Sequence, residues 1–384
     1  MTPRATDFAE NTPRFEIDLN TVRRQFATHS ALCPFARVYF AAKANANPAV
    51  LATLADLGCG FDVYSAHTAD LCFKAGGDPS IIYYDRLDAP IDDVARAYAA
   101  GVRRFSVGSL AYLNAIAPIV PEAEILCRIR YPFASKPYKL WQTLGACAEE
   151  IVEIAANARA KGLRFKGVNT HLGTQQLDLG VWEFAIAHIK RTLDEVRAHI
   201  EHRPIINLGG ALPISYRTAA PPPHMVATAI KGALWRHFGD IDPNHGPIIE
   251  IEPGRALTGP AGSVWSPVEK VIDGDPALIR LPDNVSQAVF YQMLDYGIHY
   301  PIDAPYSHTE EKKNYVLTGC NHRGDEVILH DYPYSLPVDI KVGDILRIQQ
   351  TGAYCNFDHD TQDERKYMKT VPLDSQRHSP QRMD

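Results

Sequence analysis

The chain has 384 residues, 46% of them hydrophobic and 22% charged, an ordinary composition for a globular protein with room for two domains. A net charge of −6 gives no electrostatic footprint for nucleic acid or an anionic membrane surface, and no apolar run reaches spanning length. Seven scattered cysteines without a Cys-x-x-Cys pair argue against a metal centre or a disulfide framework; with the polar opening Met1–Arg14 they point to the reducing cytoplasm.

Phe15–Leu19 alternates like a half-buried strand, and Asn20–Ser30 reads as a helix capped by Asn20. Arg37–Ala42 is an apolar strand closed by Lys43. Pro48–Leu57 is a helix stopped at Gly58, then Gly60–Ser65 is a strand and Ala66–Lys74 a helix. The alternation continues with strands at 81–85, 104–107, 124–130, 164–171, 205–208 and 248–251, separated by helices at 91–100, 110–119, 149–161, 181–200 and 225–238. Strand–helix alternation implies parallel pairing, and this number of units predicts an α/β fold with a (β/α)8 barrel over 32–262. A doubly wound open sheet is the rival, but the first strand–helix turn lacks its Gly-x-Gly-x-x-Gly signature.

Beyond Gly254 the texture changes. Strands at 263–272, 277–281, 315–320, 325–329 and 344–350 follow one another without long helices, which predicts an all-β second domain of 263–357 joined by residues 1–31. From Asp358 the chain turns polar and charged, and 358–384 reads as a mobile tail.

In a (β/α)8 barrel, functional groups collect at the C-terminal ends of the strands. Six strand ends here carry reactive or glycine-rich sequence: Lys43, Asp62, Arg128, His171 through Thr174, Gly209-Gly210, and Glu252 through Arg255. A lysine ending a buried strand suits Schiff-base chemistry, because desolvation lowers its amine's proton affinity. Gly209 and Gly210 let backbone amides approach a phosphate, with Arg255 and Thr174 adding charge and a hydroxyl. A carboxylate at Glu252 suits a pyridinium nitrogen, and His171 a ring face. Read together, the set fits pyridoxal 5'-phosphate.

The pieces Phe40-Ala41-Ala42-Lys43-Ala44-Asn45, Gly60-Phe61-Asp62-Val63, His171-Leu172-Gly173-Thr174-Gln175, Leu208-Gly209-Gly210-Ala211-Leu212-Pro213, Glu252-Pro253-Gly254-Arg255 and Gly352-Ala353-Tyr354 come in a telling order. From Phe15 to Tyr354 the chain resembles the fold-type III pyridoxal-phosphate decarboxylases, the family of ornithine and diaminopimelate decarboxylases. The resemblance implies a barrel plus a β domain, an amino-acid substrate, and a head-to-tail homodimer with shared active sites. It makes Lys43 the Schiff-base lysine, His171 the ring-stacking group and Glu252 the pyridinium partner. Gly210, Arg255, Thr174 and Tyr354 fall on phosphate positions, Gly254 lies in the same cofactor-binding stretch, and Asp62 and Arg128 fall on further pocket positions.

The match departs from the family late in the chain. The family's Gly-x-x-Cys-(Asp/Glu)-x-x-Asp motif supplies a proton-donating cysteine and a carboxylate for the substrate's distal amine. Here the segment reads Thr318-Gly319-Cys320-Asn321-His322-Arg323-Gly324-Asp325. Cys320 is the first candidate for the acid and His322 the second. Near Leu294-Asp295-Tyr296-Gly297 only Asp295 supplies a carboxylate, beside Tyr296. Losing one acid and gaining His322 and Arg323 favours a substrate with an anionic far end, such as a citryl-linked amino acid of siderophore assembly. The alternatives are decarboxylation of ornithine, lysine or diaminopimelate, a racemase of the same fold, or a catalytically silent cofactor binder. Glu252 opposes racemisation, since racemases of this type pair the ring nitrogen with arginine.

Overall fold

The structure, a computed structural model, describes residues 12–131, 144–200, 202–242, 244–321, 323–355 and 368–374. Two compact units divide the chain: one comprises 23–214 and 220–257, the other 1–22, 215–219 and 258–384.

The chain starts with β1 (Arg14–Asp18) and α1 (Leu19–Leu32). The expected cap at Asn20 is corrected to Asp18: its carboxylate accepts from the Asn20 N–H at 2.9 Å and from Thr21 Oγ1 at 2.5 Å, so the helix starts one residue earlier.

In the first unit, eight parallel strands close a barrel in sequence order: β2 (Ala36–Ala41), β3 (Gly60–Val63), β4 (Ile82–Tyr84), β5 (Arg104–Val107), β6 (Glu124–Arg128), β7 (Arg164–Asn169), β8 (Ile205–Asn207) and β9 (Ile248–Ile251). The ring is closed by β9 pairing with β2, Val38 opposite Ile251. The helices between strands are α2 (Pro48–Asp56), α3 (Ala66–Lys74), α4 (Ile91–Ala99), α5 (Leu110–Ile116), α6 (Ala148–Ala160), α7 (Gly180–Val196) and α8 (Pro223–Phe238), and the one-turn α9 (Arg255–Thr258) follows β9. Short polar residues fix where several begin: Asn47, Ser65 and Ser109 accept from the backbone N–H groups of Ala49, Thr68 and Tyr112. The strands are short and almost wholly buried, as expected where helices cover the outer face and side chains fill the inner one. Tyr39, Tyr83, Leu126 and Ile205 pack into one buried cluster. Nearer the N-terminal ends of the strands, Arg104 reaches Tyr39, Glu124 and Glu250.

The second unit holds two sheets. One orders β13 (Ile302–Asp303), β17 (Ile345–Gln349), β10 (Gly262–Pro267), β1 and β18 (Lys369–Leu373); the other orders β11 (Lys270–Ile272), β12 (Ala277–Arg280), β14 (Lys312–Cys320) and β15 (Glu326–Ile328), with β16 (Tyr334–Pro337) also on β14. Two expectations need correction here. The unit is sheet-rich but not all-β, because Asp283–Tyr296 forms a 14-residue helix, α10. Val285, Ala288, Val289, Phe290 and Met293 give it one buried stripe, and Gly297 ends it in the left-handed region. The polar tail is not structureless throughout either: Lys369–Leu373 runs parallel to β1, with Phe15 opposite Thr370. Its neighbours at 358–367 and 375–384 lie outside the described residues.

Among the described residues no helix is long and apolar enough to cross a membrane. All seven cysteines are free thiols.

Candidate active site

The end of β2 passes directly into one 3₁₀ turn, Ala42–Ala44, with Lys43 at its centre. Both flanking alanines are buried, whereas the lysine side chain keeps 36% of its surface exposed and places Nζ 3.7 Å from Asp62 Oδ2. The sequence implies a lysine sealed in the sheet; the tight turn instead lifts it clear of the pleat. Neighbouring charge therefore shapes its surroundings along with desolvation.

Asp62 stands near the end of β3, Asp85 follows β4 and Glu252 follows β9, and oxygens of all three lie within 4.8 Å of one another, fully enclosed. Arg128, the last residue of β6, pairs with Asp85 Oδ2. Asp85 also accepts from Tyr83 Oη at 3.1 Å and Asn169 Nδ2 at 3.0 Å, and Ser106 Oγ steadies Asn169 at 3.3 Å. Glu252 Oε1 accepts from Asn207 Nδ2 at 2.6 Å.

These environments drive like groups apart. Burial resists ionisation of Asp85, but Arg128 and then Lys43 outweigh it, and its pKa falls to about 2. Burial lifts Asp62 to about 7, with Lys43 opposing and Asp85 reinforcing the shift. Burial, then the charges of Asp62 and Asp85, push Glu252 well above the ordinary carboxylate range. His171, two residues beyond the end of β7, is held down to about 3 by loss of water around its ring and by Lys43 and Arg128, so it is neutral at neutral pH.

A second group of residues forms a cradle. Gly209 has φ 67°, and a Cβ there would lie 2.3 Å from Thr170 O; a Cβ on Gly210 would lie 2.6 Å from Glu252 O. Only glycine lets the turn after β8 run this close to its neighbours. Asn207 Oδ1 fixes the turn by accepting from Gly209 N at 2.8 Å. The loop after β7 is tied to the same segment, since Gln176 N donates to Ala211 O at 2.9 Å and Ile214 N donates to Gln175 Oε1 at 3.1 Å. Arg255, buried just beyond Gly254, donates to Thr174 Oγ1 from Nε at 3.3 Å and from Nη2 at 3.2 Å.

A family model described as "Pyridoxal-dependent decarboxylase, pyridoxal binding domain" matches residues 19–259. The chain belongs to the pyridoxal-dependent decarboxylases. It is similar to the lysine/ornithine decarboxylase of Selenomonas ruminantium, at 26% identity over 347 residues covering 89% of this chain and 85% of that one. The diaminopimelate decarboxylase of Pseudomonas aeruginosa is 27% identical over 338 residues, covering 83% and 76%. Among solved structures, the lysine/ornithine decarboxylase of Vibrio vulnificus complexed with cadaverine superposes with a TM-score of 0.81 at 20% identity, covering 96% and 97%, a likeness of fold. The expected barrel and sheet-rich unit are those of the family.

The cofactor of this decarboxylase is pyridoxal 5'-phosphate, and the residues present fit it. The barrel offers an amine at Lys43, a glycine turn that a Cβ would fill, and an Arg255–Thr174 pair suited to phosphate. It also offers buried polar atoms without a hydrogen bond among the described residues, Asp62 Oδ2 and Arg128 Nε. Sequence reasoning missed Asp85, Tyr83, Ser106, Asn169 and Asn207. Their signal was faint: polar side chains at or near the ends of apolar strands, each with its partner on another strand.

The remaining expected residues of the decarboxylase lie in the second unit. Asp295 is exposed near the end of α10. Tyr296 Oη lies 3.3 Å from Tyr291 Oη; burial raises its pKa, and the charges of Asp295 and Tyr354 add to that. Tyr354 adopts φ 62°. Cys320 is the buried last residue of β14, opposite Glu326, with its N–H donating to Ser286 Oγ at 3.0 Å. Burial, then Asp283, raises its thiol pKa. The turn that follows is built by Asn321, whose Oδ1 accepts from Arg323 N at 2.9 Å and Asp325 N at 3.0 Å. Arg323 is exposed on it, and His322 lies outside the described residues.

Proposed function

We propose that this decarboxylase removes the α-carboxylate of an amino acid whose far end is anionic, of the citryl-linked kind, and that two copies share their active sites. The observation that carries the reaction is the Lys43 amine 3.7 Å from a buried Asp62, within a cluster that also holds Glu252. The distal preference rests on Arg323, a cation exposed on a turn held by Asn321.

Pyridoxal phosphate, when bound, supplies an electron sink for the pair left behind as carbon dioxide departs. Lys43 would anchor it covalently and yield that place to the substrate's amine. Asp62, with a proton affinity near neutrality, suits proton exchange with that amine. Glu252 would keep a proton for the ring nitrogen, and neutral His171 would lie against the ring. Gly209, Gly210, Gly254, Thr174, Arg255 and Tyr354 would hold the phosphate, and Arg128 would carry positive charge beneath it all. Cys320, kept as a thiol by its raised pKa, would return a proton to the α-carbon, with His322 as the alternative donor. Asp295, Tyr296 and Arg323 would read the substrate's far end.

The curated relatives named for lysine, ornithine and diaminopimelate support a second reading, in which the substrate is a free diamino acid. Amine products from a panel of free diamino acids and citryl conjugates separate the two. We expect turnover of a conjugate, and a kcat/KM about tenfold lower for it in Arg323→Ala with kcat little changed. Fast turnover of lysine, ornithine or diaminopimelate by the unaltered enzyme would overturn the distal assignment.

A further inference from the structure

The floor of the site contains a carboxylate to which the reaction above gives no task. Asp85 is faced from every neighbouring strand end: by Lys43 after β2, Asp62 on β3, Ser106 on β5, Arg128 on β6, Asn169 and His171 at β7, and Glu252 after β9, with Tyr83 on its own strand. Among these groups two cations, Lys43 and Arg128, meet three carboxylates, and His171 is neutral. A buried excess of one negative charge is costly and is relieved by one proton.

Hydrogen bonding decides where that proton goes. Asp85 takes the Arg128 guanidinium, the Tyr83 hydroxyl and the Asn169 amide, all donors that favour the ionised form. Among the described residues Asp62 Oδ2 has no hydrogen bond, only the Lys43 amine at 3.7 Å, and Glu252 accepts an amide from Asn207. We propose that Asp85 is a positioning residue: anchored by Arg128, Tyr83 and Asn169 it stays ionised, and its fixed charge makes the Asp62–Glu252 pair hold a proton at neutral pH. The opposite displacements of Asp62 and Asp85 agree with this assignment. The site thus keeps one proton shared between the carboxyl beside the Lys43 amine and the carboxyl assigned to the ring nitrogen.

The use of that proton rests on the proposed decarboxylation, but its existence does not. The test therefore uses the cofactor-free protein, and a negative result leaves carbon dioxide release unaffected. Aspartate is labelled with carbon-13 at Cγ and titrated by NMR, with Asp85→Asn and Asp85→Glu identifying the Asp85 resonance and Asp62→Asn that of Asp62. In the unaltered protein we expect Asp62 to titrate near neutrality while Asp85 stays a carboxylate into strong acid. In Asp85→Asn the Asp62 midpoint falls by about one unit or more, tenfold in proton affinity, and Asp85→Glu restores it. An unmoved Asp62 midpoint in folded Asp85→Asn would overturn the proposal. If Asp85→Asn does not fold, the unaltered protein decides: an Asp62 that titrates in the ordinary carboxylate range ends the idea, and one near neutrality beside an ionised Asp85 upholds it.

Discussion

Asp62 and Asp85 are the same residue type, both buried, at the ends of adjacent strands, yet they are displaced in opposite directions because Arg128 pairs with only one of them. That difference carries a stability prediction. The folded pKa of Asp62 is raised from 3.8 to about 7, so its contribution is complete below 3.8 and is lost as pH climbs through about 7. Glu252 acts in the same sense. Asp85, depressed to about 2, contributes above 3.8 and loses that only as pH falls toward 2. His171, depressed from 6.5 to about 3, contributes above 6.5 and loses that on acidification. Above pH 6.5 the two raised carboxylates therefore act alone within this group. The cofactor-free protein should melt at lower temperature as pH rises from there, with a flatter slope in Asp62→Asn; equal slopes in a pH series of melting curves would refute the coupling. Lys43, Glu252 and Arg255 were legible in the sequence because each is a charged residue closing or following an apolar run. Asp85 was not, because it reads only as the last residue of a short strand at 81–85 and its meaning depends on Arg128, 43 positions away.

Elements show the same contrast between local and distant information. The barrel strands were readable as short apolar runs punctuated by caps and glycines, and Ala66–Lys74, Arg104–Val107 and Ile248–Ile251 fall on the expected residues. Helix α10 was missed because the region between the strands at 277–281 and 315–320 reads as lacking long helices, although its buried stripe and Gly297 were there to be seen. It matters to the site because Ser286 holds the Cys320 backbone, and Gly319 leaves room for it: a Cβ there would stand 2.5 Å from Ser286 Cβ. Strand β18 was unreadable, since it is a five-residue piece within a polar tail and pairs with β1, more than 300 residues earlier. The turn after β8 gives the sharpest test at this scale. Gly209→Ala combines φ 67° with a contact of 2.3 Å to Thr170 O, and should cost about 1–3 kcal/mol of stability together with cofactor affinity. An unchanged melting temperature and unchanged binding of pyridoxal phosphate would show that the turn is not the cradle assigned here.

For the whole molecule, the groups assigned to the cofactor, Tyr354 excepted, belong to one unit of the chain and those assigned to the substrate to the other, which is what sharing between two copies would use. If Cys320 serves the neighbouring copy's Lys43, the Lys43→Ala and Cys320→Ala proteins are each inactive, and mixing them restores about a quarter of the activity through hybrids with one intact site. No recovery on mixing would place both residues in a site built from one copy. Which amino acid is consumed was the least legible feature, because the reading turns on Cys320 through Asp325, where Asn321 builds the turn and a substrate, not the fold, would set the use of its neighbours. The reaction itself is tested most directly by following an isotopic label placed in the α-carboxylate of the turned-over amino acid. With pyridoxal phosphate bound, the account predicts that the label leaves as carbon dioxide in step with amine formation, and that Lys43→Ala releases none. Retention of the label with exchange of the α-hydrogen, or release undiminished in Lys43→Ala, would contradict it.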